Sequence, residues 1–409
     1  MTTLITMLGM STLLLVAYGA SANRNAISLR TVGGAFGLQA VIGALVLYVP
    51  AGKNVLEAIS NAVASIITYG QAGINFLFGD QLAENMGFIF ALQVLPIIVF
   101  FSALVSVLYY IGVMGWIIKI LGGGLSKLLG TSKTESLSAT ANVFVGQTEA
   151  PLVVKPFIPK MTESELFAVM VGGLATVAGS ILVGYANIGV EMKYLIAASF
   201  MAAPGGFLMA KMMVPETQTP NDSIDDIYTD EDEKPVNVID AAASGAASGL
   251  QLALNVGAML LAFVALIALL NGLLGWGGGF FGYPDLSIQF LLGYMFAPVA
   301  WLLGVPWDEA ITAGSFIGQK LVLNEFIAYI AYIDFLKDGF LSEHTQVVIT
   351  FALCGFANLS SIAILLGGIG VMAPTRRKDI ARLGLRAVMA GSMANLMSAA
   401  IAGFFFSIG

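Results

Sequence analysis

Residues 316–326, Phe316-Ile317-Gly318-Gln319-Lys320-Leu321-Val322-Leu323-Asn324-Glu325-Phe326, set a lysine, an asparagine and a glutamate inside a chain that is otherwise apolar. An earlier island, Gly146-Gln147-Thr148-Glu149, does the same. Around them the 409 residues are 58% hydrophobic and 11% charged, where soluble proteins average about a quarter charged. Mean hydropathy is +0.88. Apolar stretches near the roughly 20 residues that cross a bilayer recur from end to end. Without water at that depth, backbone polar groups must pair internally, which demands helices. The chain therefore reads as an all-α integral membrane protein whose two polar islands mark a solute site within the bilayer.

Candidate crossings are residues 3–20, 32–49, 86–118, 166–190, 194–214, 241–274, 347–372 and 385–406, about eight in number. An amphipathic stretch, 54–78, reads as a surface helix. The first crossing lacks the basic lead of a signal peptide and reads as a retained helix. The net charge of −7 comes largely from the linker 215–236, with Asp222, Asp225, Asp226, Asp230, Glu231, Asp232 and Glu233. That linker reads as solvated chain without chemistry of its own. Basic residues cluster at Arg24 and Arg30, at Lys119 to Lys160, and at Arg376 to Arg386. Counting crossings puts all three clusters on one side, the cytoplasmic one by the positive-inside rule, and both termini outside. No basic patch with interleaved aromatics suggests nucleic acid. One cysteine, Cys354, and one histidine, His344, exclude a disulfide framework and a structural zinc site.

Residues 120–161 and 286–343 do not fit as simple spans, and they resemble each other. Each has an amphipathic arm ending in Leu-Leu-Gly, then an acidic residue (Glu135 or Glu309), then an aromatic-aliphatic-Gly-Gln run and a glutamate. Each is followed by a crossing broken by small or polar residues, 175–180 and 355–361. By the charge count the two units start on opposite sides. Inverted repeats with broken helices are the sequence mark of a secondary transporter with a midplane site. Each unit is expected to form a re-entrant hairpin, because irregular backbone is tolerated at that depth where protein covers it.

Glu149 and Glu325 carry the functional reading, since a membrane-buried carboxylate costs several kcal/mol without a partner. A local backbone cap would explain one glutamate; two at equivalent places, near Asn358 and Ser361, point to a ligand. The donors and acceptors suit a neutral, heavily hydrogen-bonding solute. Glu325 is suited to accept from two adjacent hydroxyls, while Phe356 serves equally as a ring platform or as packing. Asn142 and Thr176 fit two readings equally well. They are hard oxygen ligands for a small cation, or a helix cap and a threonine bonded to its own helix. Ser315 with Lys320 lacks the elbow and oxyanion motif of a hydrolase, and a channel would need a continuous polar pore.

The run Gly318-x-Lys320-x-x-x-Asn324-Glu325-Phe326-Ile327-Ala328-Tyr329 resembles the signature of the concentrative nucleoside transporters, with Ile327 replacing a valine. Gly146-Gln147-Thr148-Glu149-Ala150-Pro151 and Phe356-Ala357-Asn358-Leu359-Ser360-Ser361 resemble that family's two other hallmark segments. The resemblance spans essentially the whole chain in its bacterial, eight-crossing form. It implies a homotrimer and a sodium-driven importer of nucleosides of the uridine, cytidine and adenosine class in a bacterial inner membrane. Proton coupling is the alternative. It implies scaffold helices in residues 1–118 and repeats in 119–214 and 286–373. The linker 215–236, a sixth crossing at 237–274 and an eighth at 385–409 complete the chain. Gln147, Thr148, Glu149 and Ile181 would contact the base, with Leu252 closing over it; Glu325, Asn358 and Ser361 would hold the ribose near Phe356. Sodium would take the side chains of Asn142 and Thr176 and the carbonyls of Val145 and Val177. In that family a serine at the position of Gly146 goes with pyrimidine preference, so glycine implies broader acceptance, and Ser180 is a further selectivity position.

Overall fold

The computed structural model describes residues 2–79, 89–220 and 235–408. The seven linker residues named above, from Asp222 to Glu233, and the first three of the predicted third crossing, 86–88, lie outside the described residues. Among the described residues, seven helical segments are long and apolar enough to cross a membrane. These are α1 (Thr2–Gly19), α2 (Leu29–Leu47), Phe90–Tyr110, Glu163–Asn187, α9 (Met192–Met213), α10 (Val238–Gly279) and Pro374–Ile408. Within them lie α4 (Leu95–Tyr110), α7 (Glu163–Ala175), α8 (Gly179–Asn187) and α16 (Arg377–Ile408). The seventh predicted crossing, 347–372, is present as two pieces, α14 (Glu343–Leu353) and α15 (Ser361–Gly367). The amphipathic stretch is the helix α3 (Pro50–Phe78).

One predicted boundary moves. The third crossing was expected to run to residue 118, but α4 ends at Tyr110 and α5 (Val113–Leu129) begins after a turn. Gly112 makes that turn with φ +82°, a left-handed conformation that glycine adopts at little cost. The apolar run therefore conceals a corner. The sixth crossing continues five residues past its expected end, to Gly279, and α16 begins eight residues before its expected start.

The first hairpin consists of α6 (Lys133–Ala141), a tip at 142–149 and a tight 3₁₀ arm, Ala150–Lys160. Pro151, Pro156 and Pro159 remove backbone donors from that arm, which keeps it from continuing as a regular α-helix. The second hairpin consists of α12 (Trp307–Val322) and α13 (Glu325–Asp338); α12 is bent 115° from the preceding helix α11 (Ile288–Leu302). Burial sorts the crossings into two layers. Glu163–Asn187 and Met192–Met213 are 94% buried, whereas the Phe90–Tyr110 and Val238–Gly279 segments are 22% buried and turn leucines and aromatics outward. The broken helix formed by α7 and α8 is thus enclosed by protein, as irregular backbone at membrane depth requires.

A buried polar knot fixes the first hairpin to this core. Ser132 with Glu135 and Thr162 with Glu165 form capping boxes at the starts of α6 and α7. Thr134 Oγ1 donates to Glu165 at 3.0 Å. Lys211 near the end of α9 sits 2.6 Å from Glu135 and donates to Ser164 Oγ at 2.9 Å. At the second hairpin the corresponding tie is uncharged on the donor side: the backbone and hydroxyl of Ser342, which caps α14, both donate to Glu309. Breaking a buried ion pair by removing one partner costs about 3–5 kcal/mol. Lys211→Met is therefore expected to lower the detergent melting temperature by several degrees or more, and adding Glu135→Leu to recover part of the loss. An unchanged melting curve for the single variant would show that the pair contributes nothing.

Candidate functional site

Two helix breaks and two hairpin tips meet in the interior. Thr176 has extended backbone (φ −100°, ψ 174°), as does Ala178, so α7 stops and α8 restarts across residues 176–178. The second break runs from Cys354 to Ser360. Each tip docks on one break through a main-chain bond. Gly179 N donates to Phe144 O at 3.0 Å, and Leu359 N donates to Leu321 O at 3.2 Å. The breaks also join each other, because Phe356 N donates to Thr176 O at 3.1 Å.

Side chains complete this junction. Asn395, in the middle of α16, donates through Nδ2 to Ala175 O at 2.6 Å and to Cys354 O at 2.9 Å. Its Oδ1 accepts from Lys320 Nζ at 2.7 Å, and Lys320 also donates to Ala352 O. These carbonyls end α7 and α14, the helix termini that carry partial negative charge and lack intrahelical donors. Sequence reasoning missed Asn395, whose only signal was a lone amide in an apolar run. It weighed Lys320 only as a partner for Ser315. In the structure Ser315 Oγ instead accepts from Gln319 Nε2.

At the second tip Asn324 caps α13 by accepting from Ile327 N at 2.9 Å. Glu325 Oε2 accepts from Asn358 Nδ2 at 2.9 Å. Asn358 Oδ1 is held by Ser361 N, Ser361 Oγ and Ser360 Oγ at 3.0, 3.0 and 2.7 Å. Ser361 Oγ also lies 2.6 Å from Phe356 O. The predicted residues Glu325, Asn358, Ser361 and Phe356 thus form one cluster, the first three fully enclosed.

At the first tip Glu149 is exposed and lines a cavity of about 540 Å³ between the hairpin, α4 and α10. Gly146 and Ser180 share that cavity. Gln147 and Ile181 are buried, Thr148 and Leu252 half-buried, and none of the four lines it. A Cβ at Gly173 would lie 2.8 Å from Gln147 Cβ, so glycine lets the tip rest on α7. The other end of α4 is closed: Phe90 meets Phe326 edge-on at 5.8 Å, and Asn187 donates to Gln93 O at 2.7 Å.

The cation question has a partial structural answer. Thr176 Oγ1 donates to Gly172 O and Asn142 Nδ2 to Ser138 O, each within its own helix. That leaves Asn142 Oδ1 buried without a hydrogen-bond donor among the described residues. No backbone N–H among the described residues donates to the carbonyl of Val145 or Val177. The spare atoms are neutral oxygens, the donor set a small hard cation takes.

Comparison with known proteins covers nearly all of the chain. Residues 8–81 match the family model described as Na+ dependent nucleoside transporter N-terminus, and residues 194–403 match its C-terminus. Residues 91–192 match a domain described as nucleoside recognition. The chain is 57% identical to an uncharacterized transporter of Haemophilus influenzae, over 100% of this chain and 99% of the relative. It is 50% identical to the nucleoside permease NupC of Helicobacter pylori, over 99% of this chain and 98% of the relative. CNTnw in an inward-facing substrate-bound state is 58% identical, with TM-score 0.96 over 100% of this chain and 99% of that one. A CNTnw variant in an outward-facing state gives 0.97 at the same identity, covering 100% of both chains.

Asn395 generates a direct test. Asn395→Leu removes the donors to two buried carbonyls and the acceptor for a buried ammonium, each loss worth about 1–3 kcal/mol. The variant is expected to melt well below the parent in detergent; equal melting would show that the bridge is dispensable.

Proposed function

Because the chain belongs to the Na+-dependent nucleoside transporter family, we propose that it imports nucleosides in symport with sodium across a bacterial inner membrane. The observation that carries this reading is the enclosed Glu325–Asn358–Ser361 cluster on the second hairpin tip. Asn358 uses its oxygen to hold Ser361 and Ser360, which orients its amide toward Glu325. One Glu325 oxygen is thereby committed, and the carboxylate has further lone pairs for the vicinal hydroxyls of a ribose. Gln147, Thr148, Glu149 and Ile181, with Leu252 on α10, are assigned to the base. Gln147 Oε1 is buried without a hydrogen-bond partner among the described residues, as a group awaiting a ligand donor would be.

Sodium is assigned to Asn142 Oδ1, Thr176 and the carbonyls of Val145 and Val177, on the strength of the unpaired oxygens there. Asn142 and Gln147 both lie against Gly173 of α7, so the ion and base ligands assigned here share one short stretch of hairpin. Ordering that stretch with an ion favours the nucleoside, and by linkage the nucleoside must tighten the ion by the same factor. We assign residues 1–118 and the sixth crossing chiefly to a static scaffold, and the hairpins with their broken helices to a part that moves against it. Trimerisation through the apolar outer faces and external termini complete the reading.

Uptake of labelled uridine into proteoliposomes is expected to exceed equilibrium only under an inward sodium gradient. Accumulation driven by a proton gradient alone would replace sodium in this reading, and indifference to both gradients would end the symport claim. Glu325→Gln is expected to weaken ribonucleoside binding about 5- to 150-fold, from roughly 1–3 kcal/mol for a hydrogen bond to a charged group. A free nucleobase should be far less affected. Equal losses for both would free Glu325 from the ribose.

A further inference from the structure

The cavity beside Glu149 has a second wall that the binding residues above do not explain. At about 540 Å³ it falls within the roughly 300–1,000 Å³ of small-molecule sites. The wall comes from two helices: α4 contributes Ser102, Ser106 and Tyr109, and α10 contributes Ser244 and Ser248. The outward face of α10 carries Leu254, Leu261 and Leu269 instead. Hydroxyls gathered at membrane depth cost free energy unless they find partners. Ser106 has one, donating to Ala241 O at 2.7 Å. Tyr109 does not: its phenol oxygen is buried without a hydrogen-bond partner among the described residues.

We propose that Tyr109 and the serine wall of α4 and α10 form a second nucleoside subsite beside Glu149, visited by substrate between the hairpin tips and the cytoplasm. This rests on the nucleoside reading above and adds to it a place on the route. The end of α4 at Tyr109 leads into α5 with Lys119 and Lys127, the side the basic residues assign to the cytoplasm. The opposite end of α4 is the packed one, at Phe90 and Gln93. Substrate leaving the Glu149 end therefore meets the hydroxyl wall first.

The chemistry suits a waystation. A hydroxyl both donates and accepts, so such a wall takes the carbonyl and amino edges of any base and the sugar hydroxyls in several orientations. Neutral hydrogen bonds of this kind contribute only about 0.5–1.5 kcal/mol net, enough to hold a solute briefly without trapping it. Phe144, Val145, Leu152 and Val153 line the same space and offer the apolar surface that a base face needs.

The test compares half-saturation for uridine from the two faces, in right-side-out and inside-out vesicles. Tyr109→Phe keeps the ring and removes the hydroxyl. The ratio of cytoplasmic to external half-saturation is expected to rise about fivefold, the equivalent of one neutral hydrogen bond. An unchanged ratio, whether both constants move together or neither moves, overturns the subsite. As an independent readout, Ser248→Cys is expected to react with a small hydrophilic alkylating agent at least fivefold more slowly in the presence of uridine. The native Cys354 is buried and gives a low background. Alkylation indifferent to uridine also overturns the subsite. A parent protein that fails to transport uridine from either face would instead overturn the nucleoside reading itself.

Discussion

Two helices stop in the middle of a membrane protein, and the ends they leave must be satisfied without water. The bridge from Asn395 to Ala175 O and Cys354 O, with Lys320 behind it, meets that constraint. One amide serves the C-terminal ends of both first half-helices, and an ammonium donor supplements it where the helix dipoles are negative. The N-terminal ends of the second half-helices are met differently, by Phe144 O and Leu321 O from the hairpins and by Asn358. The hairpins therefore exist as much to complete broken helices as to present a ligand site.

This divides the polar residues of the interior into two kinds. Asn395, Lys320, Lys211 and Glu135 hold fixed partners, which makes them architecture. Asn142 Oδ1, Gln147 Oε1 and Tyr109 Oη are buried with capacity to spare. Native proteins seldom leave buried polar atoms unpaired, and in the reading proposed above these atoms, on the first hairpin and the cavity wall, are where small polar solutes are received. Glu325 belongs to both kinds: one oxygen is tied to Asn358, and the rest of its capacity remains.

Much of this was legible in the sequence because lipid simplifies the code. Crossing helices announce themselves by length and hydropathy, and Glu149 and Glu325 stood out as charges where charges are expensive. The hairpins followed from the repeated Gly-Gln and glutamate pattern. The corner at Gly112 was invisible, since a turn inside an apolar run leaves hydropathy unchanged and one glycine among 47 is no signal. Asn395 was missed because its role depends on where three distant segments, 175, 320 and 354, come together. The serines of α4 and α10 were missed for a related reason. Each is an ordinary residue in an apolar helix, and only the packing of two helices around one cavity makes them a surface.

The asymmetry along α4 bears on how such a protein can move. Just before its first end, an edge-on aromatic pair and a side-chain bond from Asn187 to Gln93 O join it to the second hairpin and α8. At its other end it faces a cavity. Contacts of these two kinds are individually worth about 1 kcal/mol, so they can be exchanged for a different set without unfolding anything. The knot of Lys211 with two glutamates and the Asn395 bridge are the opposite case, charged or multiply bonded and fully enclosed. In the reading proposed above, motion runs along the boundary between α4 and α10 on one side and the hairpin core on the other. The strong bonds lie wholly inside the core, and the weak ones cross that boundary.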